Sequence, residues 1–163
     1  MSDIARLFLI LILMIVGLSA YFLVIQALFS ARVAKIKAIV PAMTGRSFGL
    51  GLVNVVFFAV IALVLFSVAE NTGPFVRGIL TISALIILGV LAIALSLGLA
   101  GMASLVGERL LPDLPAWKQM LWGTFCIALA CALPFVGWFL LLPYVGFVGV
   151  GSVILEFFQR GKA

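Results

Sequence analysis

The sequence predicts an all-α fold, an integral membrane helical bundle of about five transmembrane helices in a single domain. Of the 163 residues, 66% are apolar and 9% are charged, whereas a soluble domain is about half apolar and about a quarter charged. The apolar residues also lie in long runs, and a helix needs about 20 of them to cross a ~30 Å hydrocarbon core. A soluble globule and a disordered chain are therefore both excluded.

Turn-forming residues divide the apolar sequence into the predicted spans. These spans are residues 4–29, 48–69, 78–105, 117–133 and 138–158. The first run is too long for the apolar core of a signal peptide, so we expect it to be retained. Glu70–Pro74 ends the second span, and Glu108–Pro115, with two prolines, forms the loop after the third. Leu133–Trp138 is read as a tight turn, and the alternative is one long proline-kinked final helix.

The distribution of lysine and arginine predicts the orientation, with the N-terminus outside and the C-terminus inside. The first inner loop carries Arg32, Lys35, Lys37 and Arg46 without an acidic residue. We expect this loop to lie along the anionic inner leaflet, in part as an interfacial helix. The alternative is a dock for an acidic cytoplasmic partner.

Small residues predict where the helices pack, because small side chains let helix backbones approach one another in lipid. The predicted helix-packing residues are Ala92, Ser96, Gly98, Ala100, Ser104, Gly146 and Gly149. Gly45 and Gly49 add a G-x-x-x-G pattern where the second span begins. Such faces either hold the bundle together or dock a partner subunit, and the sequence leaves both alternatives open.

Two polar residues fall inside predicted spans, where polar groups are costly and often functional. Gln26 and Asn54 lie at a similar predicted depth, so we expect a hydrogen bond between their helices, with a ligand or proton site as the alternative. Glu156 precedes Arg160 by four residues, a spacing that predicts a surface-facing ion pair at the inner interface.

The residues that enzymes and metal sites need are missing from the sequence. There is no histidine and there are five acidic residues, which excludes histidine-ligated haem and zinc. Cys126 and Cys131 point to different faces of a helix, so we expect them to be apolar packing residues. Nucleophile and phosphate-binding motifs are also missing. We therefore predict no enzyme, no catalytic or metal site, no cofactor and no nucleic-acid partner, while a bound lipid or apolar pigment stays open.

The C-terminal part of the chain resembles a known module. Gly107-Glu108-Arg109-Leu110-Leu111, then Leu133-Pro134-Phe135-Val136-Gly137-Trp138, then Gly146 through Gly151, look like the membrane module of bacterial bactofilin-type, polymer-forming cytoskeletal proteins. The chain has no room for the soluble β-helical domain that defines that family, so filament formation is not implied. The resemblance implies a helical hairpin in a bacterial inner (plasma) membrane, used for anchoring or assembly.

The sequence favours a scaffold or accessory subunit of a larger membrane assembly. Its partners would be the lipid bilayer and other membrane subunits or further copies of the chain. A small transporter or channel component is the alternative, and it would need several midplane polar groups or a broken helix. Pro134 and Pro143 are the candidate positions for such a break. A lipid-modifying enzyme comes last, because the acidic residues are not clustered.

Overall fold

The computed structural model describes the backbone of residues 2–133 and 135–160. Side chains are described over the same ranges except at positions 2–4, 7, 11, 138, 159 and 160. The α-helices within these ranges are α1 (Ser2–Leu28), α2 (Ser30–Ala42), α3 (Thr44–Glu70), α4 (Pro74–Leu110), α5 (Ala116–Ala132) and α6 (Leu142–Arg160). A short π-helical segment, Val136–Leu141, leads into α6. The predicted all-helical class is confirmed.

Four of these helices, α1, α3, α4 and α6, are long and apolar enough to cross a membrane. The remaining predicted span corresponds to α5, which has 17 residues. At 1.5 Å per residue α5 is about 26 Å long, a little short of a ~30 Å hydrocarbon core. Over the described residues, the structure therefore contains four membrane-capable helices, and the shorter α2 and α5 pack against them.

Proline and polar side chains define the turn between α3 and α4. Asn71 donates a hydrogen bond to the Ser67 carbonyl at 3.0 Å, and Thr72 donates one to the Val68 carbonyl at 3.1 Å. Pro74 then opens α4, at a position where its missing N–H has no helical partner to lose. This turn coincides with the one that the sequence predicts.

At its other end, α4 continues to Leu110, beyond the predicted start of the loop at Glu108. Glutamate, arginine and leucine are good helix formers. A helix usually ends at or before the residue that precedes a proline, whereas a charged residue alone does not end it, and the next proline is Pro112. The polar segment is therefore shorter than predicted, and Glu108 lies on the last turns of α4.

The connection between α5 and α6 is a sharp reversal. Phe135 has φ 68° and ψ −65°, the conformation of a γ-turn that is rare and strained. A Cβ on Gly137 would lie 2.5 Å from the Cys131 carbonyl oxygen, so a side chain does not fit there. The chain therefore turns between two separate helices, in contrast to the alternative of one kinked helix.

Helices α4 and α6 form the centre of the bundle, with α3 and α5 beside them and α1 packed mainly on α5. The first inner loop contains a helix, α2, which packs one face on the bundle and leaves the opposite face, with Lys35, exposed. Its side chains Val33 and Ile36 are buried in the core, and Ile36 contacts Gly101 on α4. Burial of this apolar face against α4 and α6 removes it from water and holds α2 on the bundle.

Candidate functional site

Helices α3 and α6 cross at two glycines. A Cβ on Gly51 would collide with the carbonyl of Phe147, and a Cβ on Gly151 would collide with the carbonyl of Ser47. Gly51 thus faces Phe147, four residues before Gly151, and Gly151 faces Ser47, four residues before Gly51. This reciprocal pattern is expected for antiparallel helices in backbone contact. The crossing therefore has no room for a side chain at Gly51 or Gly151.

A second close crossing joins α4 to α6. A Cβ on Gly98 would lie 2.5 Å from the Gly149 Cα, and a Cβ on Gly149 would lie 2.9 Å from the Gly98 carbonyl carbon. The structure therefore brings together two of the residues that the sequence assigns to helix packing. A third, Gly146, has more room, because a Cβ there would be 3.4 Å from Leu95 Cδ1.

The α4–α5 crossing uses glycines that the sequence analysis missed. A Cβ on Gly123 would lie 2.8 Å from the Gly107 amide nitrogen, and a Cβ on Gly107 would collide with the backbone of Gln119. The available signal was the small-x-x-x-small pair Ala103–Gly107 on α4. Ser47–Gly51 is the corresponding pair on α3.

The predicted small-residue row on α4 is divided between the interior and the exterior. Ala100 and Ser104 are buried, whereas Ser96 is half-buried and Ala92 is exposed. The Ser96 hydroxyl accepts a hydrogen bond from Tyr21 on α1 at 2.8 Å and donates one to the Ala92 carbonyl. A row spaced by four residues rotates about 40° per step around a helix, so the row turns from one face to another.

Gln26 and Asn54 are not brought together. The Gln26 amide donates to the Ala116 carbonyl at 3.5 Å, and the Asn54 amide donates to the Leu50 carbonyl of its own helix at 2.8 Å. The Gln26 Oε1 atom is buried without a hydrogen-bond partner among the described residues. The predicted hydrogen bond between the helices of Gln26 and Asn54 is therefore not formed.

Two open grooves lie between helices and are lined almost entirely by apolar side chains. One of about 260 Å³ lies between α3, α4 and α6, and Asn54 is the polar residue on its wall. The other, of about 550 Å³, lies between α1 and α5, beside Ser19, Trp122 and Phe125. Such walls suit hydrocarbon, and they provide few groups for recognising a polar solute.

Chain connectivity brings the cations of α2, the start of α3, the end of α4 and the start of α5 to one end of the bundle. We call this the basic end; its described cations are Arg32, Lys35, Lys37, Arg46, Arg109 and Lys118. Lys37 forms an ion pair with Glu108 at 2.8 Å. Arg32 lies over the rings of Phe29 and Phe157, while Lys35 and Arg46 are exposed.

Glu156 occupies a different environment from the predicted surface-facing pair. Glu156 is 6% exposed, and the helices that pack on α6 are α2, α3 and α4. The side chain of Arg160, its predicted partner, lies outside the described residues. A carboxylate buried in this way is costly unless it is hydrogen-bonded or paired.

Cys126 and Cys131 are free and half-buried on α5. Over the described residues, no group of three or more cysteine, aspartate or glutamate side chains is placed to hold a metal ion. Comparisons with models of protein families, with characterised proteins and with solved structures found no match.

Proposed function

We propose that this chain is a polytopic protein of a bacterial inner membrane, oriented with its N-terminus outside, that acts as a non-catalytic scaffold or accessory subunit of a larger membrane assembly. Four long apolar helices support the membrane location. The excess of lysine and arginine at the basic end supports the orientation, because cytoplasmic loops retain positive charge.

The observation that carries the scaffold role is the closed interior of the bundle. The α4–α6 crossing at Gly98 and Gly149 and the α3–α6 crossing at Gly51 and Gly151 bring backbones into contact. A water-lined path would need space and polar walls along the bundle axis. Instead, helices α1, α3 and α4 direct large apolar side chains outward, where lipid or other membrane subunits would cover them.

A small transporter or channel component is the second candidate, and the reversal before α6 favours it. Phe135 is strained, and the π-helical segment that follows it is a feature often found at functional sites. Transporters commonly bind substrates where a membrane helix is interrupted. In that case further copies of the chain would have to supply the polar lining of a pore.

The test is extraction of the full chain from its native membrane in a mild detergent, followed by mass spectrometry of everything that remains bound. A partner present in fixed stoichiometry is the expected result. A chain that is recovered alone and that conducts ions or solutes in liposomes would overturn the scaffold role and support the second candidate. Recovery in the soluble fraction would overturn the membrane location itself.

A further inference from the structure

Two cations of α2 flank its buried face and have different surroundings. Lys37 is paired with Glu108 of α4 at 2.8 Å. The Arg32 guanidinium carbon instead lies 5.9 Å from the ring centre of Phe29 and 5.9 Å from that of Phe157 on α6. An aromatic ring attracts a cation without cancelling its charge. Arg32 is therefore held in position by two rings and keeps its positive charge.

Lys35 adds a second positive charge next to Arg32. It follows Arg32 by three residues on α2, so the two side chains leave the helix on neighbouring sides. Lys35 is exposed and Arg32 is half-buried. Among the side chains that the structure describes, the Lys37–Glu108 pair is the one ion pair present. Neither Arg32 nor Lys35 thus forms an ion pair with a described carboxylate.

The two aromatic rings beside Arg32 are exposed. Phe29 is 42% exposed and Phe157 is 62% exposed, and Phe158, the next residue on α6, is 71% exposed. A soluble anion would account for the cations but not for an adjacent apolar surface. A molecule with an anionic group at one end and hydrocarbon beyond it accounts for both.

We propose that Arg32 and Lys35 bind the phosphate of an anionic phospholipid, whose acyl chains lie against Phe29, Phe157 and Phe158. The planar guanidinium of Arg32 can donate two hydrogen bonds to one phosphate, and the rings hold that group before the lipid arrives. Lys35 contributes a second, flexible donor. This inference rests on the proposed membrane location, and it is independent of the proposed scaffold role.

The test uses the purified full chain in a mild detergent, with native mass spectrometry to count retained lipids. Phosphatidylglycerol and phosphatidylcholine with identical acyl chains are added in equal amounts. We expect the chain to retain phosphatidylglycerol in preference to phosphatidylcholine. Arg32→Gln and Lys35→Gln should each weaken that retention about tenfold or more, since each removes a charge-assisted hydrogen bond to the phosphate.

Arg109→Gln is the matched control, because it removes the same charge from an exposed position at the end of α4. We expect retention within a factor of about two of the unmodified chain, because an exposed charge that makes no direct contact with the bound lipid is screened by salt. Equal losses in Arg109→Gln and Lys35→Gln would overturn the proposal, since they would reflect general charge attraction. Lys35 is exposed, so its variant keeps the test valid even if Arg32→Gln does not fold.

Two competitors distinguish the proposed lipid from other anionic ligands. Excess glycerol 3-phosphate has the phosphate without the acyl chains, and we expect it to leave the retained lipid in place. Displacement by glycerol 3-phosphate, or by an acidic polyglutamate peptide, would overturn the proposal in favour of a soluble phosphate or a protein partner. Failure to find a partner subunit would refute the scaffold role and leave these lipid measurements unaffected.

Discussion

Gly98 and Gly149 face one another across the α4–α6 crossing so closely that a Cβ on either residue would lie within 3 Å of the other's backbone. Because bulk hydrophobic force does not drive helices together in lipid, backbone contacts of this kind carry much of the packing energy. The crossing joins the two central helices of the bundle. The change in the free energy of unfolding when one methyl group is added at this crossing therefore measures how much the crossing contributes to stability.

Gly98→Ala should lower the free energy of unfolding by about 1–3 kcal/mol, the usual cost of overpacking a closed contact. Gly89→Ala is the control on the same helix, since no described atom beyond the helix's own backbone lies within 4 Å of the added Cβ. That control should leave stability unchanged or raise it by up to about 1 kcal/mol through helix propensity. Thermal unfolding in detergent measures both, and equal stabilities would refute the crossing.

Ala100→Leu should disrupt the bundle, because Ala100 is fully buried on α4 and the extra atoms would force helices apart. We expect a loss of about 3 kcal/mol or more. Ala92→Leu makes the same change at an exposed position two turns earlier, where substitutions usually stay within about 0.5 kcal/mol. Size-exclusion profiles and unfolding temperatures of the two variants should therefore differ clearly.

Tyr21→Phe should cost about 0.6 kcal/mol, the average for a hydrogen bond between membrane helices, since it removes the 2.8 Å bond from Tyr21 to Ser96. Tyr144→Phe is the control, because its ring stacks on Phe48 at 5.8 Å and phenylalanine keeps that contact. A double variant with Ser96→Ala should show no further loss from Tyr21→Phe. An additive loss would mean that the hydroxyl acts elsewhere.

The proposed orientation predicts which turns react with a membrane-impermeant maleimide. In a Cys126→Ala/Cys131→Ala background, Gly73→Cys in the α3–α4 turn should be labelled on intact cells. Asp113→Cys in the α4–α5 loop should be labelled only after the membrane is permeabilised. Both positions are exposed, so access to the reagent decides the result. The reverse pattern would place the basic end outside and contradict the positive-inside distribution.

The lengths of the apolar runs and the turn residues were sufficient to predict where most helices lie. The partners of the small residues could not be predicted in the same way. Gly45–Gly49 and Ser47–Gly51 are equally good small-residue patterns in one segment, yet a Cβ on Gly45 or Gly49 would meet no described atom beyond its own helix backbone within 4 Å. Spacing shows that a helix has a groove, whereas the rotation and crossing angle of the neighbouring helix decide which groove is filled.

The burial of α2 could not be predicted from the sequence either, for a different reason. Basic residues interrupt its apolar positions, and the positive-inside rule accounts for those residues without any tertiary contact. Only the presence of α4 and α6 on either side makes the interior the favourable place for Val33 and Ile36. The basic residues then lie at the margins of the buried face, where Lys37 forms an ion pair with Glu108.

The position of α2 has a consequence for the order in which the molecule is completed. Ile36 packs with Gly101 and belongs to the same buried cluster as Val148, yet both of these residues leave the ribosome long after α2 does. Its apolar face must therefore stay uncovered until α4 and α6 have been made, so that helices made later close over one made earlier. A chain truncated before α6 should expose this face and be recognised by chaperones or proteases.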